Sequence, residues 1–210
     1  ITSGMAAMPD YDISSVATIF STTNVYRKGA WVLHQLRHVV GDTAFFQILR
    51  DYAHTLKAGK HRHVPDLPRL MAILDDLEAA QAPLPIVFGH HDLLPTNFMD
   101  DGHRLWLIDW EYGAFGTAMF DLANIASNNS FDEAGERVIL ETYFEKHPPP
   151  SIETAFYAMK AASAMREAVW GMVSELHLNA PGVDYVTYAA EYLGRFETVY
   201  AAYLSNFGKS

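Results

Sequence analysis

Residues 88–111 gather side chains whose types and spacing could support phosphoryl transfer. The stretch FGHHDLLPTNFMDDGHRLWLIDWE contains four aspartates, an asparagine and a glutamate between hydrophobic runs. Asp92, Asn97 and Asp109 present the carboxylate and amide oxygens that Mg²⁺ prefers, and Mg²⁺ is usually held by one or two carboxylates together with substrate phosphates. One further carboxylate is left as a possible base for an acceptor hydroxyl, which phosphoryl transfer also needs.

The elements around this stretch should bring these side chains together. PIVFGH is a short apolar run with β-branched residues, and NFM and RLWLID flank the turn DDGH, so the sequence predicts a strand, a loop and a hairpin. Asp92 then follows a strand, and Asp109 ends the second strand of the hairpin. We therefore expect Asp92, Asn97 and Asp109 at one end of a small sheet, with Asp100 and Asp101 serving only the turn.

The rest of the chain has helical patterning, which predicts an α+β, mostly α fold. Residues 25–40 carry apolar side chains at helical spacing up to Gly41, and Asp42 can cap a second helix through Leu56, so we predict a helical hairpin. The basic, proline-containing stretch 57–68 is interpreted as a linker before a short helix. The later helices are predicted over roughly 118–129, 132–146, 152–178 and 183–206.

Composition limits the possible partners. With 50% hydrophobic and 19% charged residues among 210, the chain can bury a substantial core. The formal net charge of −10 argues against nucleic acid or an anionic membrane surface and favours a cationic or metal-bridged ligand. No apolar run approaches the length of a membrane span, and the absence of cysteine fits a cytoplasmic location.

Two motifs carry a resemblance to a known family. The pattern H-x-D-x-x-x-x-N at 90–97, followed by IDWE at 108–111, resembles the catalytic loop and metal-binding motif of the choline kinase and aminoglycoside phosphotransferase family. That family is related to the protein kinases, and the likeness covers roughly residues 62–207. The resemblance implies a protein-kinase-like C-terminal lobe, made of helices and a small β-hairpin sheet.

The resemblance also implies chemical roles. Asp92 would be the general base that accepts the proton of the substrate hydroxyl, and His90 would support the loop. Asn97 and Asp109 would hold the Mg²⁺ ions that bridge the phosphates of ATP, the co-substrate. Asp121 is interpreted as a helix cap or as a brace for the catalytic loop.

The same resemblance points to choline or a similar small amino alcohol as the substrate. In the choline-specific members, aromatic faces and acids surround the quaternary ammonium, because both stabilise a cation. The matching candidates are Glu111, Tyr112 and Trp170. Two positions depart from the eukaryotic choline kinases, since Asn128 replaces a glutamate and Val173 replaces a second tryptophan.

Other histidines and tyrosines are interpreted as structural. His61, His63 and His91 share no spacing with a known zinc site and are expected to be solvated loop residues. The tyrosines of the last predicted helix are expected to serve packing: Tyr185, Tyr188 and Tyr192.

The N-terminal region resembles a different family. About residues 20–57 are similar to the segment that follows the zinc site in the zinc-dependent alanyl aminopeptidases, where the tyrosine that matches Tyr26 stabilises an oxyanion. The zinc motif H-E-x-x-H itself is absent from the sequence. His34 and His38 share one helix face, but Gln35 stands where the general base should be. We therefore expect structural histidines.

These resemblances predict a helical, aminopeptidase-like segment at 1–60 and a phosphotransferase-like C-lobe at 61–210. Residues 1–60 contain neither a glycine-rich phosphate loop nor a lysine-bearing strand, which a kinase N-terminal lobe supplies. We therefore expect impaired activity and an open cleft face that could support self-association. Two alternatives stay open: a fragment derived from a zinc aminopeptidase, and a non-catalytic binding module for a cationic small molecule.

Overall fold

The computed structural model describes residues 42–178 and 182–208. The helices in these ranges are α1 (Asp42–Ala58), α2 (Leu67–Ala79), α3 (Ala118–Asn128), α4 (Glu133–Phe144), α5 (Pro150–His177) and α6 (Tyr185–Phe207). The strands are β1 (Ile86–Gly89), β2 (Phe98–Asp100), β3 (Leu105–Leu107) and β4 (Ala114–Thr117). The predicted fold class, mostly α with a small antiparallel β part, is confirmed.

The helix predictions agree closely with the observed bounds. The helices α3 to α6 match the four predicted C-terminal helices, and α1 matches the second helix of the predicted hairpin. The first helix of that hairpin, at 25–40, lies outside the described residues, as do the positions Tyr26, His34 and His38.

The strands form two separate antiparallel pairs rather than one sheet. β1 pairs with β4, with Phe88 opposite Phe115, and β2 pairs with β3, with Phe98 opposite Leu107. The hairpin β2–β3 was predicted, whereas β4 was not. Its sequence AFGT is short and contains a single β-branched residue, so local patterning carries little strand signal.

Helix boundaries follow from capping and proline. Asp132 caps α4 by accepting a hydrogen bond from the Gly135 amide at 2.9 Å, and Asp184 caps α6 by accepting from the Val186 amide at 3.1 Å. Pro150 occupies the first position of α5, where its missing N–H leaves no hydrogen bond unmade. These local signals explain why the breaks between helices were readable from the sequence.

Helix α5 lies at the centre of the described fold and packs against α1, α2, α3 and α6. Its buried surface is rich in alanine, so neighbouring helices can approach closely: Ala155, Ala158, Ala161, Ala162, Ala164 and Ala168. Gly171 marks a tight contact, because a Cβ atom there would lie 2.9 Å from Tyr188 Cδ1 and 3.1 Å from Ala189 Cα. None of the helices in the described ranges is long and apolar enough to cross a membrane.

Helix α1 belongs to the same hydrophobic core as the helices that follow it. Phe46 and Leu49 are fully buried, and the Phe45 ring lies 5.1 Å from the Phe120 ring at the start of α3. Arg50 ties α1 to α2 through ion pairs at 2.6 Å to Asp75 and 2.5 Å to Glu78. Residues 42–58 therefore pack as an integral part of this helical assembly.

The expectation that His61 and His91 are solvated is wrong. His61 is buried, and its Nε2 atom lies 3.2 Å from Glu175 Oε2 on α5, whose carboxylate also pairs with Arg62. His91 is 1% exposed and packs edge-on against Phe120 at 5.7 Å. Within the described ranges, no cluster of three or more His, Asp or Glu side chains could hold a metal ion.

Candidate active site

The loop after β1 carries the predicted catalytic residues, and His90 fixes its path. His90 is buried, and its Nδ1 atom accepts a hydrogen bond from the Asp92 amide at 3.2 Å. Its Nε2 atom lies 2.8 Å from the Ile108 carbonyl, to which an N–H on that nitrogen donates. The neutral ring with its proton on Nε2 satisfies both contacts. His90 thus joins the loop to the segment just before Asp109.

Helix α3 braces the same loop from behind, as predicted for Asp121. The Asp121 carboxylate accepts hydrogen bonds from the His90 amide at 2.6 Å and the His91 amide at 2.8 Å. Asn124, one turn later, accepts from the Leu93 amide at 2.8 Å. Positions three apart lie on one helix face, so a single face of α3 holds three successive parts of the loop.

Asp92 and Asn97 meet at the front of the loop. The Asn97 amide nitrogen donates to the Asp92 backbone carbonyl at 2.8 Å and to its carboxylate at 3.2 Å. Both bonds use the nitrogen of Asn97, and its side-chain oxygen remains the atom suited to a metal ion. Burial raises the pKa of Asp92, while the positive charge of Arg166 opposes this rise and the negative charge of Glu167 adds to it.

The segment that leads into Asp109 is held next to Asn97 and His90 by the backbone of Ile108. The Ile108 amide donates to the Asn97 carbonyl at 3.0 Å, while the Ile108 carbonyl accepts from His90. Asp109 is exposed and has a left-handed backbone with φ 63° and ψ 58°. The prediction that Asp109 ends a strand is wrong by two residues, because β3 ends at Leu107.

The donor set around Asn97 and Asp109 fits a magnesium ion. It consists of one amide oxygen and one carboxylate, which are hard oxygen ligands. Mg²⁺ commonly takes one or two protein carboxylates and completes its shell with substrate phosphates and water.

An aromatic cluster lies on α5 and α6. Trp170 is half-buried, and its ring contacts Tyr188 at 5.4 Å and Tyr185 at 6.0 Å, both edge-on. The Tyr188 hydroxyl donates to the buried Glu167 carboxylate at 2.8 Å. Tyr185 and Tyr188, which were predicted to serve packing, pack against Trp170, and their spacing of three places them on one helix face.

The other predicted substrate residues follow Asp109 of the metal-binding motif, and Asn128, which departs from the family pattern, lies in the core. Glu111 and Tyr112 belong to a single helical turn, Trp110–Tyr112, that directly follows Asp109. Asn128 is 7% exposed, and neither atom of its amide group has a hydrogen-bond partner among the described residues. A buried polar group without a partner is unusual in proteins and marks Asn128 as a position of interest.

An exposed apolar surface flanks the catalytic loop. Phe88 on β1 contacts Phe115 on β4 at 5.4 Å and stacks on Trp110 at 6.0 Å. Ile86 shares the same side of β1, because alternate residues of a strand point to one face. All four side chains are about half exposed. We call Ile86, Phe88, Trp110 and Phe115 the aromatic sheet face.

Comparison with known families agrees with this geometry. A model of the phosphotransferase enzyme family matches residues 32–151, which is more than half of the 210-residue chain. The chain belongs to this family. The match includes α1, the strands, the catalytic loop and Asp109, so the predicted resemblance to the choline kinase and aminoglycoside phosphotransferase family is confirmed.

The LicA protein of Haemophilus influenzae is one relative. It is 25% identical over 153 residues, which is 70% of this chain and 44% of that protein. For LicA from a second strain of the same species the covered share is 55%. The chain thus spans about half the length of these curated relatives.

Solved structures share the fold. A choline/ethanolamine kinase family protein from Mesorhizobium loti has a TM-score of 0.65 and 24% identity, covering 77% of this chain and 57% of that one. Choline kinase LicA from Streptococcus pneumoniae has a TM-score of 0.58 and 23% identity, covering 85% and 65%. A structure of LicA in complex with AMP gives 0.56 and 21%, covering 85% and 64%. At these identities the likeness shows the fold alone.

The aminopeptidase resemblance is not supported. Its segment, about residues 20–57, overlaps the phosphotransferase match from residue 32 onwards. The described part of that segment is helix α1, which packs into the core with α3 and α5.

Proposed function

We propose that this site transfers the γ-phosphoryl group of ATP to the hydroxyl of choline or a similar small amino alcohol. The observation that carries the proposal is the contact between the Asn97 amide and the Asp92 carboxylate at 3.2 Å. It sets a base beside a metal-suited oxygen, next to the backbone that leads into Asp109. The nucleotide is supported by the AMP complex of LicA, and the amino alcohol by the choline kinase among the related structures.

The residues divide the reaction between them. Asp92 would accept the proton of the substrate hydroxyl as that oxygen attacks the γ-phosphorus, and its raised pKa favours proton uptake. Asn97 and Asp109 would hold Mg²⁺, which when bound neutralises charge on the phosphates. His90 keeps the loop in register with Ile108 and does not touch the substrate.

The aromatic cluster is the proposed seat of the substrate cation. An ammonium group near an aromatic face gains about 0.5 to 2 kcal/mol from cation–π attraction. Trp170 and Tyr188 present such faces, and the buried Glu167 carboxylate lies against the Tyr188 hydroxyl. Glu111 and Tyr112, on the turn after the metal-binding motif, are proposed as further contacts.

The purified 210-residue chain tests the proposal in an assay for phosphocholine formation with ATP and Mg²⁺. Ethanolamine and an aminoglycoside serve as alternative acceptors. We expect slow turnover, because the sequence of residues 1–60 carries no glycine-rich phosphate-loop motif. Asp92→Asn should abolish this turnover, whereas Asp100→Asn, the same change in the exposed hairpin turn, should not.

Three outcomes would count against the proposal. Equal turnover in Asp92→Asn and the unaltered chain would remove Asp92 from the chemistry. If the chain phosphorylated an aminoglycoside but no amino alcohol, the proposed substrate class would be wrong. Calorimetric binding of choline without any phosphoryl transfer would instead favour the non-catalytic binding module.

We also propose that the aromatic sheet face supports self-association. An aromatic side chain buries about 150 to 250 Å² when covered, so the three half-exposed aromatic side chains together with Ile86 offer on the order of 400 Å². Stable interfaces bury about 800 Å² per partner, and we therefore expect a weak, reversible dimer. Sedimentation velocity should show it at high concentration for the unaltered chain and for Val138→Ser on α4, but not for Phe88→Ser.

A further inference from the structure

Arg166, on α5, lies against the catalytic loop, although no role for it was predicted from the sequence. Its Nη1 atom donates to the His91 carbonyl at 3.4 Å, and its Nη2 atom lies 2.6 Å from Glu167 Oε1. The guanidinium carbon stands 5.5 Å from the centroid of the Phe120 ring. Arg166 and Glu167 have side chains that are 19% and 7% exposed, so this ion pair is largely removed from water.

Glu167 connects Arg166 to the aromatic cluster. One carboxylate oxygen faces Arg166, and the other accepts the Tyr188 hydroxyl at 2.8 Å. The Tyr188 ring in turn contacts Trp170 at 5.4 Å. An unbroken series of contacts therefore runs from Trp170 through Tyr188, Glu167 and Arg166 to the His91 carbonyl.

The backbone at His91 needs such support. Its φ is 64°, in the left-handed region that costs a residue with a Cβ atom about 1 to 2 kcal/mol. Its amide is held by Asp121 from α3, and its carbonyl is approached by Arg166 from α5. The backbone of His91, the residue just before Asp92, is thus held from two helices at once.

We propose that Arg166 is a positioning residue for Asp92. Glu167 and Tyr188 hold Arg166 in place, so that a change in the aromatic cluster also changes how firmly the catalytic loop is held. The importance of Asp92 rests on the proposed function, but the mechanical link rests on the contacts alone. The charge of Arg166 also opposes the effect of burial on the pKa of Asp92, which agrees with their proximity.

Amide hydrogen exchange measured by NMR on the full chain tests the link without requiring turnover. The reporters are the loop amides of His91 and Leu93, whose acceptors are on α3. Loss of a hydrogen bond from a charged donor is expected to speed their exchange about tenfold or more in Arg166→Met. Arg166→Lys, which keeps the charge, should fall between Arg166→Met and the unaltered chain.

Two further variants make the test specific. Tyr188→Phe removes only the hydroxyl that holds Glu167, so it should speed the same loop amides by a smaller factor even if Arg166→Met fails to fold. Arg69→Met removes an exposed ion pair between α2 and α6, far in sequence from the loop, and should leave the loop amides unchanged. Amides of α1 report global stability in every variant.

The expected result is faster exchange confined to the loop. Unaltered loop exchange in Arg166→Met and Tyr188→Phe would overturn the proposal. Equal acceleration in the loop and in α1 would overturn it too, because Arg166 would then only stabilise the fold. Choline should slow loop exchange in the unaltered chain and lose that effect in Tyr188→Phe. A chain that binds no choline refutes the proposed function, whereas the exchange in Arg166→Met still decides the link.

Discussion

Replacing Asp121 by asparagine should destabilise the catalytic loop by an amount that the structure allows us to work out. The two carboxylate oxygens of Asp121 each accept one backbone amide, from His90 at 2.6 Å and from His91 at 2.8 Å. Asparagine keeps one acceptor oxygen and turns an N–H₂ group towards the other amide. One charge-assisted hydrogen bond is lost and a buried donor is left unpaired, which should cost about 2 to 4 kcal/mol.

Urea denaturation of Asp121→Asn measures this loss, and Asp132→Asn is its matched control. Asp132 also accepts a backbone amide, but at the exposed N-terminus of α4, where asparagine caps equally well and the change should stay within about 0.5 kcal/mol. Loop opening without global unfolding would appear as faster exchange of the His90 and His91 amides. If the two variants matched in both measurements, the brace would have no energetic role and the reasoning would fail.

Further predictions concern packing, buried polarity and pH. Gly171→Ala should destabilise the chain by about 1 to 3 kcal/mol in urea, because its Cβ would lie 2.9 Å from Tyr188 Cδ1, whereas Gly194→Ala, in open space on α6, should stabilise it. Asn128→Leu should raise the free energy of unfolding by about 1 to 2 kcal/mol in the same assay, because it removes a buried amide group that has no hydrogen-bond partner among the described residues. Burial lowers the pKa of His61 from 6.5, so the unfolded chain takes up a proton that the folded chain resists. Stability should therefore fall as the pH drops below 6.5, and denaturation of His61→Gln at several pH values should show a weaker dependence.

The sequence predicts most of the helices because their signals are local. Apolar spacing, the aspartates that cap α4 and α6, and the prolines before α5 all act within a few residues. The strand β4 is different, since AFGT becomes a strand only by pairing with β1, and its first residue lies opposite Gly89. Such a pairing depends on distant residues and leaves little trace in local patterning.

The residues of the candidate site also divide into those with a local sequence signal and those that depend on distant residues. The spacing of Asp92, Asn97 and Asp109 could be read as a set, because a single loop and hairpin place them. The burial of His61 could not be predicted from the sequence, since its partner Glu175 is 114 residues away. No role was predicted for Arg166 for the same reason, because its neighbour His91 is 75 residues earlier in the sequence.

The left-handed backbone of Asp109 has a consequence for which residues this position can accept. At φ 63° glycine is unstrained, asparagine and aspartate are tolerated, and other residues with a Cβ atom are strained. The proposed magnesium site adds a second requirement, which is a negatively charged side-chain oxygen. Glycine offers no side-chain oxygen and asparagine offers no charge. Backbone shape and ion chemistry together leave a single residue type. In a library that encodes every amino acid at position 109, we expect aspartate alone to meet both requirements.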